Sequence, residues 1–189
     1  MATVVDWYGP YTDTEQGPVK AAQAAAQADY GGGLYVAVGH GETIRPGPRT
    51  LLYCGISENL GNRVSSAHST LASLSITEIW LGEISSTGIP GRRQKRTNPN
   101  LDIVEWMSVF FLRIPHNERK CSNPPTISAV VLNRWWKTDY ETPTSRPVPR
   151  WADVIEWNSV RRTANLCWFG KTGRVVELDG KGTKISATR

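Results

Sequence analysis

A single carboxylate, Glu105, interrupts an otherwise apolar run from Ile103 to Leu112. An ionised carboxylate in such surroundings has to be paired, hydrogen-bonded or bound to a metal cation, because burying it bare is very costly. The plainer alternative is a glutamate at the helix margin that reaches solvent or meets an arginine. Tyr35 alternates with Leu34 and Val36, so strand parity puts it on the less apolar face and predicts exposure in a cleft. Tyr53 and Arg63 lie ten residues apart, Tyr53 in a short apolar strand and Arg63 beside the Leu60/Val64 stripe of a helix. Cys54, Cys121 and Cys167 have no paired spacing, and His40, His68 and His116 have no ligand spacing. A disulfide framework and a zinc site are therefore disfavoured. Gly170-Lys171-Thr172 looks like the end of a phosphate-binding loop, but Asn165 stands where the earlier glycine is needed, so that reading is rejected.

Charge adds a direction. The chain has 189 residues and a net charge of +5, with −4 over residues 1–91 and +9 over residues 92–189. A polarised basic surface attracts polyanions, of which nucleic acid is the commonest. Arg92, Arg93, Lys95 and Arg96 form a basic cluster before the Glu105 segment, suited to gripping a phosphate backbone or, on the plainer reading, to being solvated. Trp135, Trp136, Trp151, Trp157 and Trp168 lie among Arg134, Lys137, Arg150, Arg161 and Arg162. That interleaving suits base stacking with phosphate contact, although most of these tryptophans are expected to be packing. No window is long and apolar enough for a membrane span, and the N-terminus lacks the pattern of an export signal, so a soluble, cytoplasmic protein is expected.

These residues need elements to hold them. Residues 18–29 read as a helix with proline at its start and glycines after it, and 33–39 as a strand. Residues 51–54 and 76–84 read as further strands. Leu60, Val64, Ala67, Leu71 and Leu74 recur with the period of one amphipathic helix, and 101–112 as a buried one. Residues 129–136 fit helix or strand, 141–150 form a proline-rich connector, and 166–178 read as a hairpin turning near Gly170–Gly173.

Gly33-Leu34-Tyr35, Tyr53-Cys54-Gly55 and the segment 59–66 together resemble the GIY-YIG nuclease family over about residues 31–120. Glu105, Pro115 and Asn117 follow in the family's order, Glu105 and Asn117 being twelve apart. The chain departs from the pattern at Ile56, where many members are polar, and at Ala67, where several carry a histidine or tyrosine. Here the histidine, His68, comes one residue later, ~100° further around a helix.

The resemblance implies an α/β fold: a small central, mainly antiparallel β-sheet flanked by helices, spanning residues 1–120, with residues 121–189 a C-terminal extension that adds substrate contacts. It implies a Mg²⁺-dependent endonuclease acting on DNA, with Mn²⁺ a possible substitute. Glu105 would be the metal ligand, and Arg63 would grip phosphate oxygens. Tyr35 or Tyr53 would activate water; His68 is a further catalytic candidate, and the displacement leaves the tyrosine's helper unassigned. Asn117 would fix local geometry or touch the phosphate. Nucleic-acid contacts are expected from Arg92, Arg93, Lys95, Arg96, Arg134, Lys137, Arg161 and Arg162, in a monomer or homodimer. The rival readings are an RNA-cleaving effector and a non-catalytic nucleic-acid-binding module.

Overall fold

Along the early strands, successive side chains enter two different cores. The computed structural model describes residues 1–12, 15–41, 47–85, 99–170, 173–178 and 184–188. Its strands are β1 (Ala2–Tyr11), β2 (Gly33–His40), β3 (Arg49–Ser57), β4 (Ile76–Ile84), β5 (Ala129–Trp136), β6 (Val154–Asn158), β7 (Thr163–Cys167), β8 (Arg174–Leu178) and β9 (Lys184–Thr188). The helices are α1 (Pro18–Asp29), α2 (Leu60–Arg63), α3 (Ser69–Ser73) and α4 (Leu101–Leu112). Leu34, Val36 and Val38 of β2 join a core that includes α4, whereas Tyr35 and Ala37 join a second core with Ala22 and Ala26 of α1. The alternation is the period-two geometry of a strand covered on both sides.

The expected small central sheet flanked by helices does not form. Among the described residues, all nine strands make one mixed sheet, in the order β3-β2-β4-β1-β5-β6-β7-β8-β9. The parallel pairing of β1 with β5, from Ala2↔Val130 to Tyr8↔Trp136, carries the sheet from the first half of the chain into the second. Two facts produced the difference. The opening segment ATVVDWYGPY, for which no element is expected above, is a strand, and 129–136, ambiguous between helix and strand, is the strand that pairs with it. The core cluster around α4 likewise contains Trp151, Ile155, Trp157, Leu166 and Val176 from beyond residue 120.

α4 sets the curvature. Nine of its twelve residues are buried, so it is enclosed on most sides. It packs on β3 and β2 at one end of the sheet order and on β5 and β6 further along, which requires the sheet to curl around it. Each fully buried Val, Leu, Phe or Met contributes roughly 1.5–3 kcal/mol of transfer free energy. Arg113, in the left-handed conformation at φ 52°, ends the helix and turns the chain toward β3.

The single helix expected from Asn59 to Leu74 is two short ones. The Asn59 side chain accepts from the Asn62 N–H at the start of α2, and His68 plays the same role for α3, accepting at Nδ1 from the Leu71 N–H. Polar residues able to take over backbone donors break the helix between the two apolar stripes. The strand over 129–136 and the hairpin of β7 and β8 match one sequence option and one sequence expectation respectively.

Candidate functional site around Tyr35 and the free edge of β3

β3 ends the sheet, with β2 as its neighbour, and the Tyr35 ring lies against it. A Cβ at Gly55 would sit 2.6 Å from Cζ and Oη of Tyr35, so only glycine lets the ring lie there. Gly33 is constrained in the same way, its absent Cβ lying 2.6 Å from the Gly82 carbonyl oxygen and 2.8 Å from Leu60 Cδ1. Both tripeptides thus have packing reasons for their glycines.

Tyr35 is fully buried rather than exposed in a cleft. Strand parity placed it on the correct face, but that face is covered by α1, α2 and Tyr53. Its hydroxyl lies 3.2 Å from Arg63 Nε, which donates to it, and 3.1 Å from His68 Nε2. The break before α3 brings His68 here, and it removes the one-residue offset that a continuous helix would have imposed. Because Nδ1 accepts from Leu71, the neutral ring carries its proton on Nε2 and donates to Tyr35. The rings of Tyr35, Tyr53 and His68 form a cluster, with centroids 5.5–6.2 Å apart. Tyr53 and His68 are half-buried and Arg63 is exposed, so the cluster opens to solvent on that side.

Electrostatics distinguish the members. Burial, reinforced by Tyr53, pushes the Tyr35 hydroxyl well above the usual phenol range, against the opposing pull of Arg63. Burial and the Arg63 charge both lower His68, which is therefore neutral at pH 7. At rest, Tyr35 is protonated. Its oxygen receives two N–H donors, and Tyr53 is its further hydrogen-bond partner.

Asn117 holds the edge strand. Its Oδ1 accepts from the Cys54 N–H at 3.0 Å and its Nδ2 donates to the Cys54 carbonyl at 2.7 Å, while the His116 N–H bonds to the Leu52 carbonyl. Of its two expected roles, fixing strand geometry is the one these bonds describe. A cleft of about 440 Å³ lies between Ser69, Thr70 and Ser73 on one side and His116, Asn117 and Glu118 on the other.

Glu105 lies elsewhere. It acts on the buried Cys54 thiol from the α4 side, whereas Tyr53, the preceding residue, faces the other core. Its carboxylate is ion-paired with the Lys120 ammonium, which also bonds to Asp102 Oδ1 at 2.6 Å. Sequence reasoning considered an arginine as partner and missed this lysine, which is carried in from the turn after α4. Asp102 and Glu105 are one helical turn apart and offer the hard oxygen atoms that Mg²⁺ or Mn²⁺ prefers. As the side chains stand, the Lys120 ammonium occupies the position between the two carboxylates. Among the described residues, no group of three or more His, Cys, Asp or Glu gathers to hold a metal.

The expected nucleic-acid contacts divide. Arg134 makes a two-pronged ion pair with the buried Asp6, both N–O distances being 2.7 Å, and Trp136 Nε1 donates to the same carboxylate. Its guanidinium ties β5 to β1. Lys137 and Arg161 are exposed, and Arg162 is half-buried in the β6–β7 turn with φ 53°. Arg92, Arg93, Lys95 and Arg96 lie outside the described residues. Trp135, Trp151 and Trp157 are buried as packing residues. Among the described residues, no helix is long and apolar enough to cross a membrane.

Compared with protein-family models, with curated proteins and with solved structures, the chain matches none.

Proposed function

We propose that the protein is an endonuclease that hydrolyses DNA phosphodiester bonds at the Tyr35 cluster, with site residues similar to those of GIY-YIG nucleases held in a different sheet. The observation that carries this reading is the Tyr35 hydroxyl set between Arg63 Nε and His68 Nε2, with Tyr53 beside it. Arg63 spends its Nε on Tyr35 and also bonds to Tyr53, and its exposed guanidinium is suited to neutralising phosphate charge in the transition state. Tyr35 is protonated at rest and fully buried, and the half-buried Tyr53 beside it would present the hydroxyl that meets water. Deprotonation of Tyr35 is opposed by burial and favoured by Arg63. Glu105 with Asp102 would hold Mg²⁺ or Mn²⁺ in exchange for Lys120, on the α4 side of β3 and away from the Tyr35 cluster.

The test is incubation with supercoiled plasmid, single-stranded DNA and RNA, each with Mg²⁺ and with EDTA. Nicking of plasmid is expected, with losses of about 10²-fold or more in Arg63→Ala, His68→Ala and Tyr35→Phe. Wild-type turnover in all three variants would remove the cluster from the chemistry. The second reading, a nucleic-acid-binding module without turnover, is favoured by the Lys120 ammonium already seated on Glu105. It predicts binding without cleavage of any of the three substrates.

A further inference from the structure

β5 outruns its partner. It pairs with β6 only from Ala129↔Trp157 to Leu132↔Val154, and the Asn133 N–H then makes a last bond to the Asp153 carbonyl. The end of β5 meets the segment that follows it, the Thr144 N–H bonding to the Trp135 carbonyl at 2.9 Å. Where the two strands part there is a cleft of about 320 Å³, whose walls include Trp135, Thr144, Ser145, Arg146, Asp153 and Phe169. That volume is at the small end of the range for ligand clefts.

One ion pair organises the cleft. Asp153 is buried, and its Oδ2 lies 3.0 Å from Arg146 Nη2. Both partners also hold the backbone of a single residue. The Phe169 N–H donates to Asp153 Oδ2, and Arg146 Nη2 donates to the Phe169 carbonyl at 3.3 Å. The ring carried by that backbone is 63% exposed. A buried ion pair is costly to form, and a phenylalanine left in water returns little to folding. Here the first fixes the second beside a cleft.

The walls also hold donors without acceptors. Arg146 Nη1 and Trp135 Nε1 are buried and have no hydrogen-bond partner, a deficit that costs stability. The Arg146 side chain is 20% exposed, so a small turn of the guanidinium brings Nη1 to an acceptor that enters. Thr144 and Ser145 add hydroxyls. Asp153 Oδ2, by contrast, is already engaged twice. An exposed ring face beside surplus donors suits a flat ligand edged with acceptors. Residues 92–189, which build the cleft, carry the +9 charge excess, and this favours a ligand attached to phosphate.

We propose that the cleft between the end of β5 and β6 holds one unstacked nucleobase, lying on the Phe169 ring with its acceptors turned to Arg146 and Trp135. This rests on reading the protein as one that acts on nucleic acid, and it names the substrate as a strand unpaired at that point. Every base has a ring face and acceptor atoms, so the pocket tolerates different sequences.

The experiment measures binding of the full chain, in EDTA at fixed salt, to fluorescent oligo(dT) and to an abasic strand with the same number of phosphates. Wild type is expected to bind oligo(dT) about 10-fold or more tighter than the abasic strand, the scale of one stacked base. Phe169→Ala should bring that ratio to about 1–3 and leave abasic affinity unchanged, since only the ring is lost. Phe169→Leu should behave like alanine, and Phe169→Trp should keep the ratio, which separates stacking from plain apolar contact. Unchanged melting temperatures, expected at so exposed a position, exclude a fold defect. A wild type that binds the two strands alike overturns the pocket, as does a ratio that survives in Phe169→Ala. Cleavage is scored separately. Plasmid nicking with no preference for oligo(dT) leaves the endonuclease reading standing without the pocket. A preference that Phe169→Ala abolishes, with no nicking by the wild type, leaves the pocket standing without that reading.

Discussion

The Asn117 side-chain amide closes on both backbone groups of Cys54, accepting from its N–H and donating to its carbonyl. The amide thus behaves as a one-residue strand on the free edge of β3, and it ties the turn after α4 to the strand that carries Tyr53. Edge backbone left open invites pairing with other chains, so this closure also protects the sheet.

Asn117→Ala is expected to lower stability by about 1–3 kcal/mol, the cost of leaving two partly buried backbone groups without partners. Asn117→Asp keeps the acceptor and sets a carboxylate against the Cys54 carbonyl, so it should cost at least as much. Urea unfolding of both variants checks this. A loss confined to activity, with stability intact, would return Asn117 to the phosphate.

The Glu105–Lys120 pair gives a second expectation. Burial alone would depress Lys120, but Asp102 and Glu105 outweigh it and raise the ammonium above its ordinary value. A raised lysine contributes stability that is full below about pH 10.5 and lost as pH climbs through the folded value. Lys120→Met strands a carboxylate whose side chain is only 13% exposed, and should cost about 2–3 kcal/mol at pH 7. Adding Glu105→Gln should recover part of it. The wild-type advantage over Lys120→Met should shrink above pH 10.5. Mn²⁺ titration followed by electron paramagnetic resonance should show tighter binding in Lys120→Ala. Equal affinity in wild type and variant would mean that the ammonium does not compete for a cation.

Local pattern made some of this legible and distance hid the rest. Helix α1 follows from Pro18 and the glycines after it, and α4 from its nearly all-apolar run; both have the bounds expected from the sequence. The pairing of β1 was hidden because its register depends on partners more than 70 residues away, Ile84 on one side and Asn133 on the other. The position of His68 was hidden because the break between α2 and α3 has neither glycine nor proline. It depends on side chains capping backbone donors, a choice that the apolar stripe does not record. Lys120 reaches Glu105 by way of the turn that Arg113 starts, a path that no spacing rule describes.

The His68 imidazole offers a direct reading of the cluster. Its titration midpoint, followed by NMR, should lie below 6.5, burial being the larger cause and Arg63 the second. Arg63→Gln should move the midpoint upward without restoring it fully. Because the folded value is depressed, the stability gained from neutral His68 is full above pH 6.5 and lost as pH falls below it. His68→Gln should remove that part of the acid dependence. A midpoint above 6.5 in the wild type would place His68 in a different environment.

Gly55 tests whether the tripeptide glycine serves the Tyr35 ring. The Cβ of alanine would meet Tyr35 Cζ and Oη at 2.6 Å, a distance that neither atom can tolerate. The ring is fully buried between β3 and the α1 face, so it cannot swing into water, and relief has to come from shifting the strand or tilting the ring away from Arg63 and His68. Overpacking of this kind costs about 1–3 kcal/mol. Gly55→Ala should therefore lower stability by that amount and disturb the Tyr35 hydrogen bonds as well. The cause can be isolated with Tyr35→Leu, which removes the para-carbon and hydroxyl that clash. In that background Gly55→Ala should cost much less, and the double-mutant cycle should give a coupling of at least about 1 kcal/mol. Full additivity of the two substitutions would mean that Gly55 is required by the strand backbone, with no part in seating the tyrosine.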